Sequence, residues 1–321
     1  MWRTGIPESL WSTVFPYVDS FTFRNTSFKN GGMFRSGDST SDDYLEDVLF
    51  PALNAYGIKT ILNITCAGRA ACDPCLGEGG GDENCPRSEL LQVDLDIADR
   101  CAQLGALWWA FRAESIITGG INKGNCKDVY PPHGGNLPQR IADCIRAFGA
   151  FAAVYPLAYR LIADTEVAKT GPNHTDKDGN ERWSYEDDYP TLIAAMIAAN
   201  LPLRGFASAW AKQEMDWPEL TRVVAARDWF MGQGLEWELV PGNDDNDIGN
   251  AQYQTGMIEV VSRLRELGCI PTVFTPTSWR KYPNRIGHPD CNERCPLAWL
   301  GVVKVVTNMG ILTLRADNNY V

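Results

Sequence analysis

Histidine is scarce: three in 321 residues, His133, His174 and His288. All three fall in stretches without periodic apolar patterning, where a lone histidine is usually solvated. No Gly-x-Ser-x-Gly turn exists to carry a serine nucleophile, which argues against a Ser-His-Asp hydrolase. No segment approaches the ~18 apolar residues of a membrane-spanning helix, so no membrane partner is expected. Positive charge is in deficit, with 29 Lys+Arg against 40 Asp+Glu and a formal net charge of −11. A nucleic acid needs a basic surface, so it is not expected as a partner. No Gly-rich turn follows the first strand, and no dinucleotide cofactor is expected. The first residues, Met1-Trp-Arg-Thr-Gly-Ile-Pro, show no charged leader followed by an apolar run.

Cysteine, in contrast, is abundant, with ten. Cys66, Cys72, Cys75 and Cys85 form one cluster, Cys101 and Cys126 a second, Cys291 and Cys295 a third. An even number in Gly/Pro-rich loops points to disulfides and an oxidising destination. The expectation is therefore an extracellular or virion-associated protein, its leader removed or its exit made by lysis. The rival reading is a zinc site. Cys72-Asp-Pro-Cys75 has ligand spacing, and Cys66 and Cys85 would complete four sulfurs. Disulfides are favoured, because Cys291 and Cys295 form a second short pair far along the chain. Three tripeptides, at Asn25, Asn63 and Asn173, match the glycosylation pattern, which is frequent by chance.

Eight short apolar runs read as strands, at 20–24, 60–64, 106–112, 160–165, 203–209, 235–240, 271–274 and 302–306. Helical periodicity fills most of the intervals, at 44–56, 137–155, 191–199, 219–230 and 257–267. Tyr56-Gly57-Ile58 and Leu267-Gly268-Cys269 have the form of glycine helix caps before a strand. Alternation of strand and helix implies a parallel sheet with right-handed crossovers. Eight units close a (β/α)8 TIM-type barrel, read here as one domain over residues 1–321. An open doubly wound sheet is the alternative. Long loops, rich in cysteine in the first two cases, follow strands two, three and four at 66–87, 114–136 and 169–188. In a barrel these lie at the C-terminal face, where active sites are built.

The fourth strand ends in Asp164-Thr-Glu166. Residues i and i+2 share a face of a strand, so both carboxylates would leave its C-terminal end together. Glu236-Trp-Glu238 repeats that spacing on strand six, and Arg112-Ala-Glu114 ends strand three. Two carboxyl groups, one acid and one ionised, are what glycosidic cleavage requires. Crowded carboxylates would raise one another's pKa and keep an acid protonated. Glu166, Asp164 and Glu238 are the candidate catalytic residues. Arg112, Glu114, Trp109, Trp210 and Trp237 are the candidate substrate-binding residues, the tryptophans because flat indole faces stack on sugars. The plainer readings are salt bridges at strand ends and tryptophans packed in the core. Residues 242–247 are rich in oxygen ligands. Asp176-Lys-Asp178-Gly-Asn180 begins a calcium loop but continues with Glu181 where glycine is needed. No metal is assigned.

Two resemblances bear on these motifs. Phe34-Arg-Ser-Gly37 with "AYGIKTILN" resembles the opening of tyrosine and dual-specificity phosphatases. That family needs a cysteine with arginine six positions later, and none of the ten cysteines has one. Residues 44–166 resemble the glycoside hydrolase family 25 muramidases, in the order "AYGIKTILNIT", "CAQLGALWWAFRAE", "IADCIRAFGAFAAVYP" and "RLIADTE". "LPLRGFASAW" is similar to the next strand of that family, and "LRADNN" to its closing segment. The resemblance implies that Glu166 is the catalytic acid of an Asp-x-Glu motif. The family's first-strand Asp has no clear counterpart. The expectation is a glycoside hydrolase with a polysaccharide substrate, peptidoglycan among the choices. A non-catalytic structural or carbohydrate-binding barrel is the alternative, and a metal-dependent phosphodiesterase a further one.

Overall fold

Strand and helix alternate in the structure much as the hydrophobic pattern requires. The computed structural model describes residues 15–28, 34, 39–64, 87–114, 116, 137–164, 185–211, 217–242, 250–275 and 315–318. The strands are β1 (Ser20–Arg24), β2 (Lys59–Ile64), β3 (Trp108–Glu114), β4 (Tyr159–Asp164), β5 (Gly205–Ala211), β6 (Glu236–Gly242), β7 (Val273–Phe274) and β8 (Arg315–Asn318). The helices are α1 (Ser39–Tyr44), α2 (Phe50–Ala55), α3 (Arg87–Gln103), α4 (Leu137–Val154), α5 (Tyr185–Ala198), α6 (Trp217–Gly232) and α7 (Asn250–Glu266). The sheet order is β7-β6-β5-β4-β3-β2-β1-β8. Every neighbouring pair is parallel. The last strand thus pairs with the first, and the chain forms a (β/α)8 barrel.

Two faces of each strand do different work. Phe21 and Phe23 of β1, Ile162 of β4, Phe206 of β5 and Trp237 of β6 belong to the large core between sheet and helices. In that layer the Phe23 ring meets Phe28, Phe34, Phe50 and Trp108 at 5.7–6.2 Å. Each such side chain, fully buried, contributes about 1.5–3 kcal/mol. Ile61, Ala110 and Leu161 form a separate small cluster with Trp109 on the opposite, inner face. The alternation of period two is therefore real on both sides of the sheet.

Glycine caps occur where the spacing predicted them. Gly57 and Gly268 have φ of +66° and +67°. Asn54 and Leu53 carbonyls accept from the Gly57 and Ile58 amides, closing the helix before β2.

Three elements differ from the pattern-based expectation. The eighth strand is Arg315–Asn318, whereas the run at 302–306 lies outside the described residues. Arg315–Asn318, within the "LRADNN" segment, pairs with β1. Helix α3 was not foreseen. Its sequence, RSELLQVDLDIADRCAQ, mixes acidic residues into the apolar face, and Asp94 is itself buried. The helix expected at 44–56 begins earlier, at Ser39, and carries a π turn at Leu45–Leu49 before α2. Pro51, at the start of α2, has no N–H to donate and its ring displaces the carbonyl four residues back. The wider turn accommodates it, with the Phe50 amide bonding to the Leu45 carbonyl.

Candidate active site

On the inner face, strand parity brings together polar residues from distant parts of the chain. Asn63 comes from β2, Arg112 from β3, Glu238 from β6, and Thr275 follows β7. Arg112 donates from Nε to Asn63 Oδ1 at 2.7 Å and from Nη1 to Glu238 Oε1 at 3.1 Å. Thr275 Oγ1 donates to the same Glu238 oxygen at 2.6 Å. The Thr275 amide bonds to the Leu239 carbonyl, which holds the residue beside β6. None of the four is more than 3% exposed. Arg112 must pass β4 and β5 to reach β6, and Ala163, Ala207 and Glu238 lie side by side in register there. Methyl-sized side chains on the two intervening strands leave room for the guanidinium. A charge buried this deeply is tolerated only when paired and hydrogen-bonded. The groups that donate to Glu238 Oε1 are a cation and a hydroxyl. Thr22, also wholly buried on β1, has a hydroxyl with no hydrogen-bond partner among the described residues.

Two residues back along β6, Glu236 shares the face of Glu238 but not its setting. It pairs with Arg204 at 2.7 Å, and both side chains are about one-third exposed. The Arg204 guanidinium lies over Tyr159 at 4.2 Å and Trp109 at 5.3 Å, with Lys59 over Trp109 at 5.0 Å. Lys59, Tyr159 and Glu236 each open a strand, so this cation–π cluster sits at the N-terminal end of the barrel. Trp109, expected among the sugar-binding rings, belongs to it. The register slips between Thr60 and Ile61, skipping Trp109, which turns that ring to the floor. Gly205 is required here, because a Cβ would stand 2.9 Å from Glu236 Cβ and 3.0 Å from its carbonyl oxygen.

The other candidates are distributed unevenly. Asp164 closes β4, opposite Ser208 in register. Glu114 closes β3, opposite Ala163. Trp210 lies in β5, opposite Pro241. Glu166 lies outside the described residues. Trp237 is completely buried on the helix-facing side, stacked on Phe230 at 5.5 Å. It offers no ring face to a ligand and is a core residue. Asn63 and Thr275 were missed. The signal for Asn63 was an amide inside the apolar run Thr60-Ile-Leu-Asn-Ile64. Thr275, after a two-residue strand, gave none.

Three cysteines are described, and all are buried free thiols: Cys101, Cys144 and Cys269. This corrects the grouping of Cys101 with the loop cysteines as a disulfide former. Burial pushes Cys101 up to about 12 and Cys269 to about 11, so both stay protonated and apolar. The remaining seven cysteines lie outside the described residues, as do the three histidines, the segment 176–180 and most of 242–247. Among the described residues no group of His, Cys, Asp and Glu could hold a metal, and no helix is long and apolar enough to cross a membrane. Of the glycosylation tripeptides, Asn63 is inside the barrel and Asn25 donates to buried Asp94 at 2.8 Å.

No protein-family model matches the chain, and no curated protein matches it. Solved structures do. A psychrophilic glycoside hydrolase family 10 endo-β-1,4-xylanase superposes with a TM-score of 0.52 at 13% identity, over 91% of each chain. An intracellular xylanase from Thermoanaerobacterium saccharolyticum, in complex with xylotetraose, gives 0.47 at 12% identity, over 87% of this chain and 93% of that one. At such identities the likeness, carried by the first of these, is one of fold. The shared fold is the (β/α)8 barrel. The muramidase-type family of the sequence resemblance is not among the two.

Proposed function

We propose that this chain is a glycoside hydrolase acting on a polysaccharide at the C-terminal mouth of its barrel. The observation that carries the reading is β4. It ends at Asp164, and the C-terminal ends of the strands are where barrels build active sites. Glu166 is assigned the acid that protonates the glycosidic oxygen. Asp164 is assigned to charge stabilisation or to the activation of water. Glu114 and Trp210, at the ends of the flanking strands, are assigned to the substrate. Catalysis by carboxylates needs no cofactor. The substrate is left as a class: xylan enters because a barrel of the same fold is a xylanase, peptidoglycan because of the resemblance of residues 44–166 to muramidases. A location outside the cell would rest on the other seven cysteines, since the three described ones are free thiols.

One observation favours a second reading, a barrel that binds or scaffolds without catalysis. The Arg112–Glu238 pair is enclosed, with side chains 2% and 4% exposed, which suits a structural brace. Fold alone does not decide between the two. The test is reducing-sugar release from xylan, other β-linked glycans and bacterial cell wall, by wild type and Glu166→Gln. The glycosidase reading expects release by wild type, a drop of about a hundredfold or more in the variant, an unchanged melt, and no effect of chelator. No release from any substrate by a folded wild type would hand the case to the scaffold.

A further inference from the structure

Glu238 Oε1 accepts from two donors, Thr275 Oγ1 and the Arg112 guanidinium. An oxygen so engaged is held as an acceptor by the barrel's own side chains. Its side chain, 4% exposed, presents no surface to a sugar ring. The contacts instead run from Asn63 on β2, through Arg112 on β3, to Glu238 on β6 and Thr275 beyond β7, so they tie one wall of the barrel to the opposite one. Strand β4 and its terminal Asp164 lie between β3 and β5, beside the span of this tie.

We infer that Glu238 is a positioning residue: it anchors Arg112, with Thr275 and Asn63 completing the brace, and it is neither the proton donor nor the nucleophile of the hydrolysis. The catalytic part of this inference rests on the glycosidase reading. Releasing the brace shifts the strand ends that carry the reacting groups, and a misplacement of about 1 Å costs on the order of 10²-fold in rate. Substrate binding is expected to change less.

The experiment measures kcat and KM separately for wild type, Glu238→Ala, Thr275→Val and Thr275→Ser, with and without azide. Thr275→Val is expected to lower kcat about tenfold with KM within about twofold, and Thr275→Ser to recover most of the loss by restoring the hydroxyl. Azide is expected to leave Glu238→Ala unchanged. Recovery of Glu238→Ala by azide, which replaces a reacting carboxylate, would overturn the inference. So would Thr275→Ser behaving like Thr275→Val. If wild type cleaves no glycan, the glycosidase reading fails and the brace is judged by melting. A Thr275→Val/Glu238→Gln double variant that loses less than the sum of the singles supports it, and strict additivity overturns it.

Discussion

Glu236 and Glu238 stand two residues apart on one face of one strand, each paired with an arginine, yet they occupy different physical worlds. Arg204–Glu236 lies at the N-terminal floor, one-third exposed and layered on Trp109 and Tyr159. Arg112–Glu238 lies in the sealed interior, 2% and 4% exposed. At the floor, water screens the charges and the aromatic rings provide the packing. In the interior, the pair and its hydrogen bonds must satisfy themselves. A step of two residues along a barrel strand, about 6–7 Å, is enough to turn an ordinary surface pair into one whose members cannot be removed singly.

The sharpest way to break this comparison is Arg112→Met, which leaves Glu238 buried without its cation. A loss of about 3–5 kcal/mol is expected in urea unfolding, largely recovered in Arg112→Met/Glu238→Leu. A single variant as stable as wild type would mean the interior is wetter than its burial implies. Next in size is Gly205→Ala. The new Cβ meets β6 backbone at Glu236, and about 1–3 kcal/mol is expected to be lost.

The helix layer supplies an alkaline counterpart. Cys101 and Cys269 hold their protons to about 12 and 11 in the fold, against an ordinary 9.0. Between those values the unfolded chain has released protons that the folded chain keeps. Stability is therefore complete below about pH 9 and falls as pH rises, by about 1.4 kcal/mol per unit for each thiol at most. Melting scans between pH 8 and 10.5, compared with a Cys101→Ala/Cys269→Ala variant, measure it. A wild-type slope no steeper than that of the variant would contradict the burial of the two thiols. The smallest effect belongs to the floor. Arg204→Ala is expected to cost about 0–1 kcal/mol in charge pairing, a loss that added salt reduces in the wild type by screening. An Arg204 variant as damaged as the Arg112 one would erase the distinction.

Much of the barrel was legible because period two and period 3.6 are printed directly in the apolar residues. Phe21/Phe23 and Ile162 declare the helix-facing side, and Gly57 and Gly268 declare the helix ends. What was not legible depends on facts that a one-dimensional pattern does not hold. The spacing of Glu236 and Glu238 gave their shared face, but their depth follows from strand stagger. Trp109 went to the floor through a register slip, and Trp237 to the core by parity. Parity was available for Trp237, since Glu238 and Trp237 are neighbours and cannot both face inward. Helix α3 hid because Asp94 is buried against Asn25, and β8 hid because its four residues are mostly polar. The partners of Arg112 come from residues 49 and 126 positions away, a distance no local motif spans.

The most direct test of the central claim is a crystal structure of Glu166→Gln with an oligosaccharide cut from a glycan that wild type hydrolyses. The account predicts sugar at the C-terminal ends of β3, β4 and β5, with the glycosidic oxygen about 3 Å from the residue-166 amide and Trp210 against a ring. A sugar bound away from β4, with residue 166 out of reach of any glycosidic oxygen, would contradict it.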